Sequence, residues 1–306
     1  MVEHIPVMIN EVVEHLKQIP VPRVIVDATL GLGGYAESIL TQFPDVLLIG
    51  VDRDEQALSM ARDRLAAFGD RVHYYLAPFS RLVSVLEKEK VTPDGVVFDL
   101  GVSNLQLSLP ERGFSFQQDG PLDMRMESSK EVEGLRASDV VNTFSEKDLA
   151  DIFWKYGEER YSRRIASGIV KYRKENGQIS TTAQLVEAIR ASLPAPVQRK
   201  MGGHPARKVF QALRIFVNNE LVELEEGLQA AIEKTADKGV VIVVSYHSLE
   251  DRIVKYAMRD WKNEGKGIIL TRHPLIPTEK EIEENYKARS AKFRAFMREV
   301  DMEEDS

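Results

Sequence analysis

Val24-Ile-Val-Asp-Ala-Thr-Leu-Gly-Leu-Gly-Gly34 is the stretch of sequence that decides the fold. Its apolar run predicts a buried strand that ends at the carboxylate of Asp27, and the glycines predict a tight turn into a helix. A second apolar run ends at Asp52, about twenty residues after this turn. Parallel strands joined in this way form a nucleotide pocket at their carboxyl ends, where the second acid accepts both hydroxyls of a ribose. The stretch therefore predicts an adenosine-containing ligand.

The glycines alone leave the ligand class open. Gly31-x-Gly33-x-x-Ala36 also satisfies the loose dinucleotide fingerprint. A pyrophosphate is anionic and would be repelled by Asp27, whereas S-adenosylmethionine carries an ammonium and a sulfonium. Asp27 therefore favours S-adenosylmethionine as the cofactor. A dinucleotide, or a strand-turn-helix unit without a ligand, remains an alternative.

The composition limits the class of protein. The chain has 306 residues, 43% of them hydrophobic, which suggests one large or two modest globular domains. We see no apolar run near the roughly twenty residues of a membrane span and no secretory signal, so we expect a cytoplasmic protein without a membrane partner. The absence of cysteine excludes disulfides, thiolate metal sites and methylation of a pyrimidine ring carbon through a cysteine nucleophile. The six histidines lack metal-ligand spacing, so no metal is expected.

Strand and helix patterns alternate along the first hundred residues, which predicts a parallel sheet. The fifth strand begins about 140 residues after the fourth, much further than an ordinary crossover requires. We therefore expect a Rossmann-like α/β methyltransferase fold of class I, in which 1–108 and 209–306 form a seven-stranded, mostly parallel sheet domain and 109–208 form a mainly helical insert. The predicted strands are Arg23–Ala28, Val46–Val51, Val72–Leu76, Asp94–Leu100, Gly239–Tyr246, Gly267–Thr271 and Lys292–Val300. A hairpin is one arrangement open to the last two. The clearest helical patterns are Asp54–Phe68, Glu146–Lys155, Arg160–Asn176, Thr182–Ser192 and Lys208–Thr235, the last as one or two helices.

Positive charge is concentrated in one region of an acidic chain. The net charge is −7, yet the segment from Lys155 to Arg214 has a clear excess of Lys and Arg over Glu. Such asymmetry is typical of a face that binds a polyanion, with Tyr161 and Tyr172 available to stack on bases. The alternative is that these charges only solvate helices. The basic residues expected to bind RNA phosphates are Arg160, Arg163, Arg164, Lys171, Arg207 and Lys208.

Two polar clusters follow the central strands. Asp99 ends the fourth strand, and Ser245 and His247 share one face at the end of the fifth, so both clusters should meet beside the cofactor. A conjugated exocyclic amine becomes a better nucleophile when an oxygen accepts its N–H, and Asp99 or Asn104 could be that acceptor. Ser248 is predicted to be a helix N-cap, with Asp251 completing a capping box. A Ser-His-Asp triad is excluded because neighbours on one strand cannot act as nucleophile and base.

Many motifs occur in an order that resembles one family, the bacterial ribosomal RNA small subunit methyltransferase H family, from His4 to about Arg298. They include Phe98-Asp-Leu-Gly-Val-Ser103, Pro110-Glu-Arg-Gly-Phe-Ser-Phe116, Tyr246-His-Ser-Leu-Glu-Asp-Arg252 and Ala288-Arg-Ser-Ala-Lys292. The resemblance implies transfer of a methyl group from S-adenosylmethionine to N4 of a cytidine in the decoding region of 16S ribosomal RNA. It implies the small ribosomal subunit as partner, a substrate-recognition role for the insert and, weakly, a homodimer.

The same resemblance assigns site residues. Asp52 would hold the ribose, Phe79 would flank the adenine, and Asp99 would contact either the methionine end of the cofactor or the substrate amine. The cofactor contacts that it implies are Gly33, Gly34, Tyr35, Asp52, Phe79, Asp99 and Gln106. The candidates for contact with the target amine are Asn104, Asp123, Arg214 and His247, and we take Asp99, Asn104 and His247 as the catalytic residues.

Some positions depart from the family pattern. Tyr35 stands where many relatives carry His, Asn104-Leu105 replaces a frequent Ser-Pro, and Tyr246 replaces Phe. Asp99-Leu-Gly-Val also lacks the Pro-Pro-aromatic run of many amino-methyltransferases, so that mechanism does not transfer atom by atom. Two rival functions are a dinucleotide oxidoreductase, which Asp27 and the insert disfavour, and an RNA-binding assembly factor without catalysis.

Overall fold

The computed structural model describes residues 6–127 and 134–299. All seven strands expected from the sequence occur within these ranges, and most bounds agree to about one residue. They are β1 (Val24–Asp27), β2 (Leu47–Asp52), β3 (Val72–Leu76), β4 (Gly95–Asp99), β5 (Val240–Ser245), β6 (Gly267–Ile269) and β7 (Lys292–Arg298).

The strands form one sheet in the order β3-β2-β1-β4-β5-β7-β6. The five strands β1 to β5 pair in parallel, whereas β7 is antiparallel to both β5 and β6. The predicted class I methyltransferase fold, with its seven-stranded and mostly parallel sheet, is thereby confirmed. The last two strands do pair, but residues 270–291 separate them, so they are not joined by a tight turn.

The helices of the described residues follow the predicted patterns, with two differences. The helix expected over Asp54–Phe68 ends at Arg64 and continues as a 3-10 segment that is kinked at Gly69. The pattern over Lys208–Thr235 is two helices, divided at Asn219, which adopts a left-handed conformation with φ 52°. The helices are α1 (Ile9–Leu16), α2 (Gly34–Gln42), α3 (Glu55–Arg64), α4 (Leu82–Glu89), α5 (Asn104–Ser108), α6 (Ala137–Thr143), α7 (Glu146–Gly157), α8 (Ser162–Asn176), α9 (Thr182–Ser192), α10 (Ala195–Lys200), α11 (Arg207–Asn218), α12 (Glu220–Lys234), α13 (Ser248–Asn263) and α14 (Glu279–Glu284).

The central strands are buried on both faces because helices cover the sheet on each side. Successive side chains alternate between two apolar clusters: Val97 and Ile242 belong to one, and Phe98 and Val243 to the other. Every residue of β5 is buried. This continuous burial explains why Val240–Val244 is an unbroken apolar run rather than an alternating one.

The chain divides into two compact units. The first comprises Met1–Gly101 and Leu221–Ser306 and contains the sheet, and the second is the continuous segment Val102–Glu220. The second unit contains α5 to α11 and has its own apolar cluster, which includes Phe153, Ile165 and Leu213. Its bounds are wider than the 109–208 expected from the sequence.

Within residues 6–127 and 134–299, every helix is too short or too polar to cross a bilayer.

Candidate functional site

The glycine turn after β1 has the backbone conformation that its sequence requires. Gly31 and Gly33 have φ of 51° and 78°, and the N–H of Gly33 donates to Leu30 O at 2.8 Å. A Cβ on Gly34 would lie 2.7 Å from Cγ of Pro6, so only glycine allows this close approach. The turn therefore brings bare backbone to the carboxyl edge of the sheet, where α2 begins.

Asp52 fixes the turn to the end of β2. Its Oδ2 accepts from the N–H of Gly31 at 2.7 Å, and its Oδ1 accepts from the N–H of Asp54 at 2.8 Å. Burial raises the pKa of Asp52 to about 6, although both backbone hydrogen bonds lower it. Each carboxylate oxygen keeps a further lone pair, so Asp52 can also accept a pair of ribose hydroxyls.

Asp27, at the end of β1, is a fully buried carboxylate whose hydrogen bonding is incomplete. Its Oδ1 accepts from the N–H of Thr29 at 3.2 Å. Its Oδ2 has no hydrogen-bond partner among residues 6–127 and 134–299. Burial, together with the charges of Asp99 and Asp52, raises the pKa of Asp27 to about 8, although the hydrogen bond from the N–H of Thr29 lowers it. A buried acceptor without a donor is costly, so this atom fits a site for a cationic ligand such as the ammonium of S-adenosylmethionine.

Asp99, at the end of β4, is tied to a residue that sequence reasoning overlooked. The hydroxyl of Tyr246 donates to Asp99 Oδ1 at 2.6 Å, and the N–H of Asp99 donates to Thr29 Oγ1 at 2.6 Å. Burial raises the pKa of Asp99 to about 7, whereas the Tyr246 hydrogen bond lowers it. From the sequence, Ser245 and His247 were expected beside Asp99 because they share one face of the strand. The residue between them, Tyr246, is the one that contacts Asp99. The replacement of Phe by Tyr at 246 was the available signal.

Phe79 lies just after β3, where an adenine ring is expected. Its ring packs edge-on against Phe98, with centroids 5.6 Å apart and planes at 88°. Gly227 of α12 makes room for this ring, because a Cβ there would lie 2.6 Å from Cδ2 of Phe79. The position of Phe79 therefore depends on a glycine that lies far away in the sequence.

Tyr35 is the second residue of α2, and its side chain is directed into the core. Only 4% of the residue is exposed, and its hydroxyl donates to the carbonyl of Val7. Val7 and Tyr35 belong to the same apolar cluster. The expected contact of Tyr35 with the cofactor stays a prediction, and its hydroxyl is already engaged.

The predicted cap of α13 is wrong by one residue. His247 is the N-cap, and Glu250 completes the box by accepting from the N–H of His247 at 3.2 Å, while Nε2 of His247 lies 3.0 Å from Glu250 Oε1. Asp251 instead accepts from Lys292 Nζ at 2.8 Å and from Arg294 Nε at 2.7 Å. His247 thus has a structural role at the helix end, and its role in catalysis stays a prediction.

The other predicted site residues belong to the second unit. Gln106 is buried and completes the capping box of α5 with Ser103, and Asn104 is the first residue of that helix. Asp123 forms a two-point ion pair with Arg125, which holds the pKa of Asp123 below its usual value although burial opposes this. Arg214 forms a similar pair with Glu220 at 2.7 and 2.8 Å.

The basic residues predicted to bind RNA differ in their surroundings. Arg164 and Lys208 donate to the carbonyls of Ser192 and Glu158, each at 2.8 Å, so both also stabilise the unit. Lys171 lies 3.9 Å from Glu175 along α8. The exposed members are Arg160, Arg163, Arg164, Lys171 and Arg207, and Lys208 is half-buried.

The model of one protein family, described as the MraW methylase family, matches residues 1–299. The chain belongs to this family. The resemblance seen in its motifs is thereby confirmed. As a member of the family, this chain uses S-adenosylmethionine as its methyl donor, and the buried Asp27 and the glycine turn fit that cofactor.

This methylase is similar to proteins named ribosomal RNA small subunit methyltransferase H. One, from Salinispora tropica, is 48% identical over 288 residues, which cover 89% of this chain and 76% of the relative. Another, from Carboxydothermus hydrogenoformans, is 46% identical over 308 residues, which cover 95% and 96% of the two chains. A solved putative rRNA-methylase from Clostridium thermocellum matches with a TM-score of 0.47 at 11% identity, over 96% of this chain and 99% of that one.

Proposed function

We propose that this methylase transfers a methyl group to N4 of a cytidine in the decoding region of 16S ribosomal RNA, within the small ribosomal subunit in the cytoplasm. The substrate class follows from its relatives, which are named as small-subunit ribosomal RNA methyltransferases. The observation that carries the proposed chemistry is the Asp99 carboxylate, which is half-buried at the carboxyl edge of the sheet with one oxygen bound by Tyr246.

The exocyclic amine of cytosine is a poor nucleophile because its lone pair is conjugated with the ring. When the ionised Asp99 accepts one N–H, electron density returns to the nitrogen, and the carboxylate can take the proton released as the new N–C bond forms. S-adenosylmethionine supplies the methyl group and leaves as S-adenosylhomocysteine. Holding the amine in line with the donor supplies much of the remaining rate enhancement.

The cofactor contacts are proposed at Gly33, Gly34, Asp52, Phe79 and Gln106, with Tyr35 contributing through its backbone. Asp27 joins them because it offers the buried acceptor described above. The second unit is proposed to recognise the RNA through its basic residues. Asn104 and His247 are kept as candidates for contact with the amine, and a homodimer is proposed only on the family resemblance.

The test is methylation of small subunits from a strain that lacks this activity, with labelled S-adenosylmethionine and mass spectrometry of the nucleosides. We expect N4-methylcytidine and a rate that rises with pH through about 7, because Asp99 acts in its ionised form and its pKa is about 7. Asp99→Asn should lower kcat by about a hundredfold or more.

Tyr246→Phe should move this rise to higher pH, because it removes the hydrogen bond that lowers the pKa of Asp99. Asp63→Asn, on the exposed face of α3, is the matched control and should behave like the wild type. Methylation of a ring carbon or a ribose oxygen, or no transfer at all, would refute the proposal.

A further inference from the structure

The Ala288-Arg-Ser-Ala-Lys292 motif has no role in the function proposed above. Most of it lies in a 3-10 helix, Tyr286–Ser290, between α14 and β7. Ala288 is fully buried and Ala291 is 2% exposed, and both belong to the apolar cluster that contains Tyr35 and packs against Tyr246. The segment is therefore anchored in the same apolar cluster against which Tyr246 packs.

The backbone of this segment is held in place at both ends. The side chain of Asn285 accepts from the N–H of Lys287 at 3.3 Å, and the N–H of Ala291 donates to the carbonyl of Ala288 at 2.8 Å. Leu275 pairs with Phe293 just beyond it. Side chains that project from so short and fixed a segment are positioned in advance, which lowers the entropic cost of binding.

Tyr286 and Arg289 project from it together. Tyr286 is 71% exposed, the guanidinium of Arg289 lies 5.7 Å from the centre of its ring, and Arg289 donates to its hydroxyl at 2.9 Å. Side chains three residues apart eclipse one another in a 3-10 helix, which explains this pairing. An exposed ring joined to a guanidinium is the combination that stacks on a nucleobase and contacts its phosphate.

Lys287 adds a second cation on the side of the proposed chemistry. Loss of hydration lowers the pKa of Lys287 to about 8, although the negative charge of Asp99 raises it. The neighbouring α14 is acidic, although one of its acids, Glu281, is engaged with the N–H of Met8 at 2.6 Å. The cations of the segment Tyr286–Lys292 are Lys287, Arg289 and Lys292, and Lys292 is bound to Asp251.

We propose that Tyr286, Lys287 and Arg289 form a contact for the RNA strand beside the target nucleotide, in which Tyr286 stacks on an unpaired base and the two cations pair with adjacent phosphates. This inference rests on the proposed function, since it supplies the sheet-bearing unit with its own contact to that substrate. We call these three residues the Tyr286 surface.

The chain offers a matched control with the same chemistry. On α13, Tyr256 is 46% exposed, and the guanidinium of Arg259 lies 4.8 Å from the centre of its ring. If any exposed Tyr–Arg pair affected RNA binding through general attraction, Tyr256→Ala and Arg259→Gln would act like the corresponding changes in the Tyr286 surface. We expect them to have no effect.

The experiment measures kcat and KM for small subunits, together with S-adenosylmethionine binding by calorimetry, in the full chain. Tyr286→Ala should raise KM about tenfold, since stacking of one base contributes that much or more. Tyr286→Phe keeps the ring and should stay within about twofold of the wild type, a margin far below one stacked base. Lys287→Gln and Arg289→Gln should each raise KM and lower the slope of log KM against log salt by about 0.7, as expected for one phosphate on a single strand.

The cofactor affinity and the melting temperature should not change in these variants. The proposal is overturned if Tyr286→Ala keeps the wild-type KM, if it acts like Tyr256→Ala, or if Lys287→Gln weakens cofactor binding while the KM for the subunit is unchanged. These outcomes require that the wild type methylates the subunit at N4. A wild type that does not would instead refute the proposed function, so the two failures are distinguishable.

Discussion

The three carboxylates at the carboxyl edge of the sheet differ in what balances their burial. Asp52 accepts from two backbone N–H groups, and Asp99 accepts from the hydroxyl of Tyr246. Asp27 Oδ2 accepts no hydrogen bond from any donor in the part of the chain that the structure describes. Because an unmatched buried carboxylate favours its protonated form, Asp27 is the group whose ionisation state should respond most strongly to a bound cation.

Asp27→Asn should stabilise the cofactor-free protein at alkaline pH. The pKa of Asp27 is about 8 in the folded protein against an ordinary value of 3.8, so the folded state holds a proton that the unfolded state releases between these values. Stability is therefore lost as pH rises from about 4 to about 8 and then levels off. The Asn variant lacks this loss, so its melting temperature should exceed that of the wild type by more at pH 8 than at pH 5.

The same variant should bind S-adenosylmethionine more weakly at pH 8, because it cannot offer a negative charge to the ammonium. Asp63→Asn on α3 is again a suitable control. Melting curves whose difference from the wild type is the same at both pH values would contradict the raised pKa of Asp27.

The residues of the candidate site were predictable from the sequence where backbone geometry dictates which residue type is needed. The glycine turn and the acids that end β1, β2 and β4 follow from strand pattern and turn chemistry. Tyr246 was not predictable in this way, because its contact with Asp99 depends on which face of β5 continues past the strand end. The cap of α13 was missed because serine is the commoner N-cap, whereas here the extended backbone of His247 and the carboxylate of Glu250 decide.

At the scale of elements, α12 contributes to the proposed cofactor pocket because its Gly227 leaves room for the ring of Phe79. The strand bounds were accurate because buried parallel strands are continuous apolar runs with sharp polar ends. The kink at Gly69 and the division at Asn219 were harder to predict, because a single residue with positive φ ends a helix whose apolar pattern continues.

Gly227→Ala should lower the affinity for S-adenosylmethionine by displacing Phe79, whose Cδ2 would lie 2.6 Å from the new Cβ. We expect a loss of about fivefold, the scale of one aromatic contact of roughly 1 kcal/mol. The helix itself gains from alanine, so the melting temperature should change little. Titration calorimetry measures the effect.

If Gly227 acts through Phe79, the two changes should not add. In a Phe79→Leu background, Gly227→Ala should cause little further loss of affinity. An equal loss in both backgrounds would mean that Gly227 affects the pocket by another route.

At the scale of the whole molecule, the chain contains two units with separate apolar cores, and the basic excess lies mostly in the second. The sequence indicated an insert because the spacing between the fourth and fifth strands is too long for a crossover. The compact second unit extends beyond 109–208 because it also contains α5 and the rest of α11.

Arg160→Gln combined with Arg163→Gln should weaken binding of the small subunit without changing cofactor affinity. Both side chains are exposed, whereas Arg164 and Lys208 also bond to backbone carbonyls, so their loss would affect stability as well. The KM for the small subunit should rise. The slope of log KM against log salt should fall by roughly one unit for each phosphate contact that is lost. Lys17→Gln removes an exposed charge directly after α1 and is the control. A salt dependence equal to that of the wild type would contradict a phosphate contact at these arginines.

The pairing of β4 with β5 has a consequence for how the protein is made. These neighbours in the sheet are separated by all of Val102–Glu220. At about 5–20 residues per second, the ribosome needs on the order of ten seconds to deliver β5 after β4 has emerged. During that interval the nascent chain holds β1 to β4 with an open apolar edge, while the continuous second unit can already form its core. The interval between the synthesis of β4 and that of β5 is therefore a stage at which the nascent chain is exposed to aggregation.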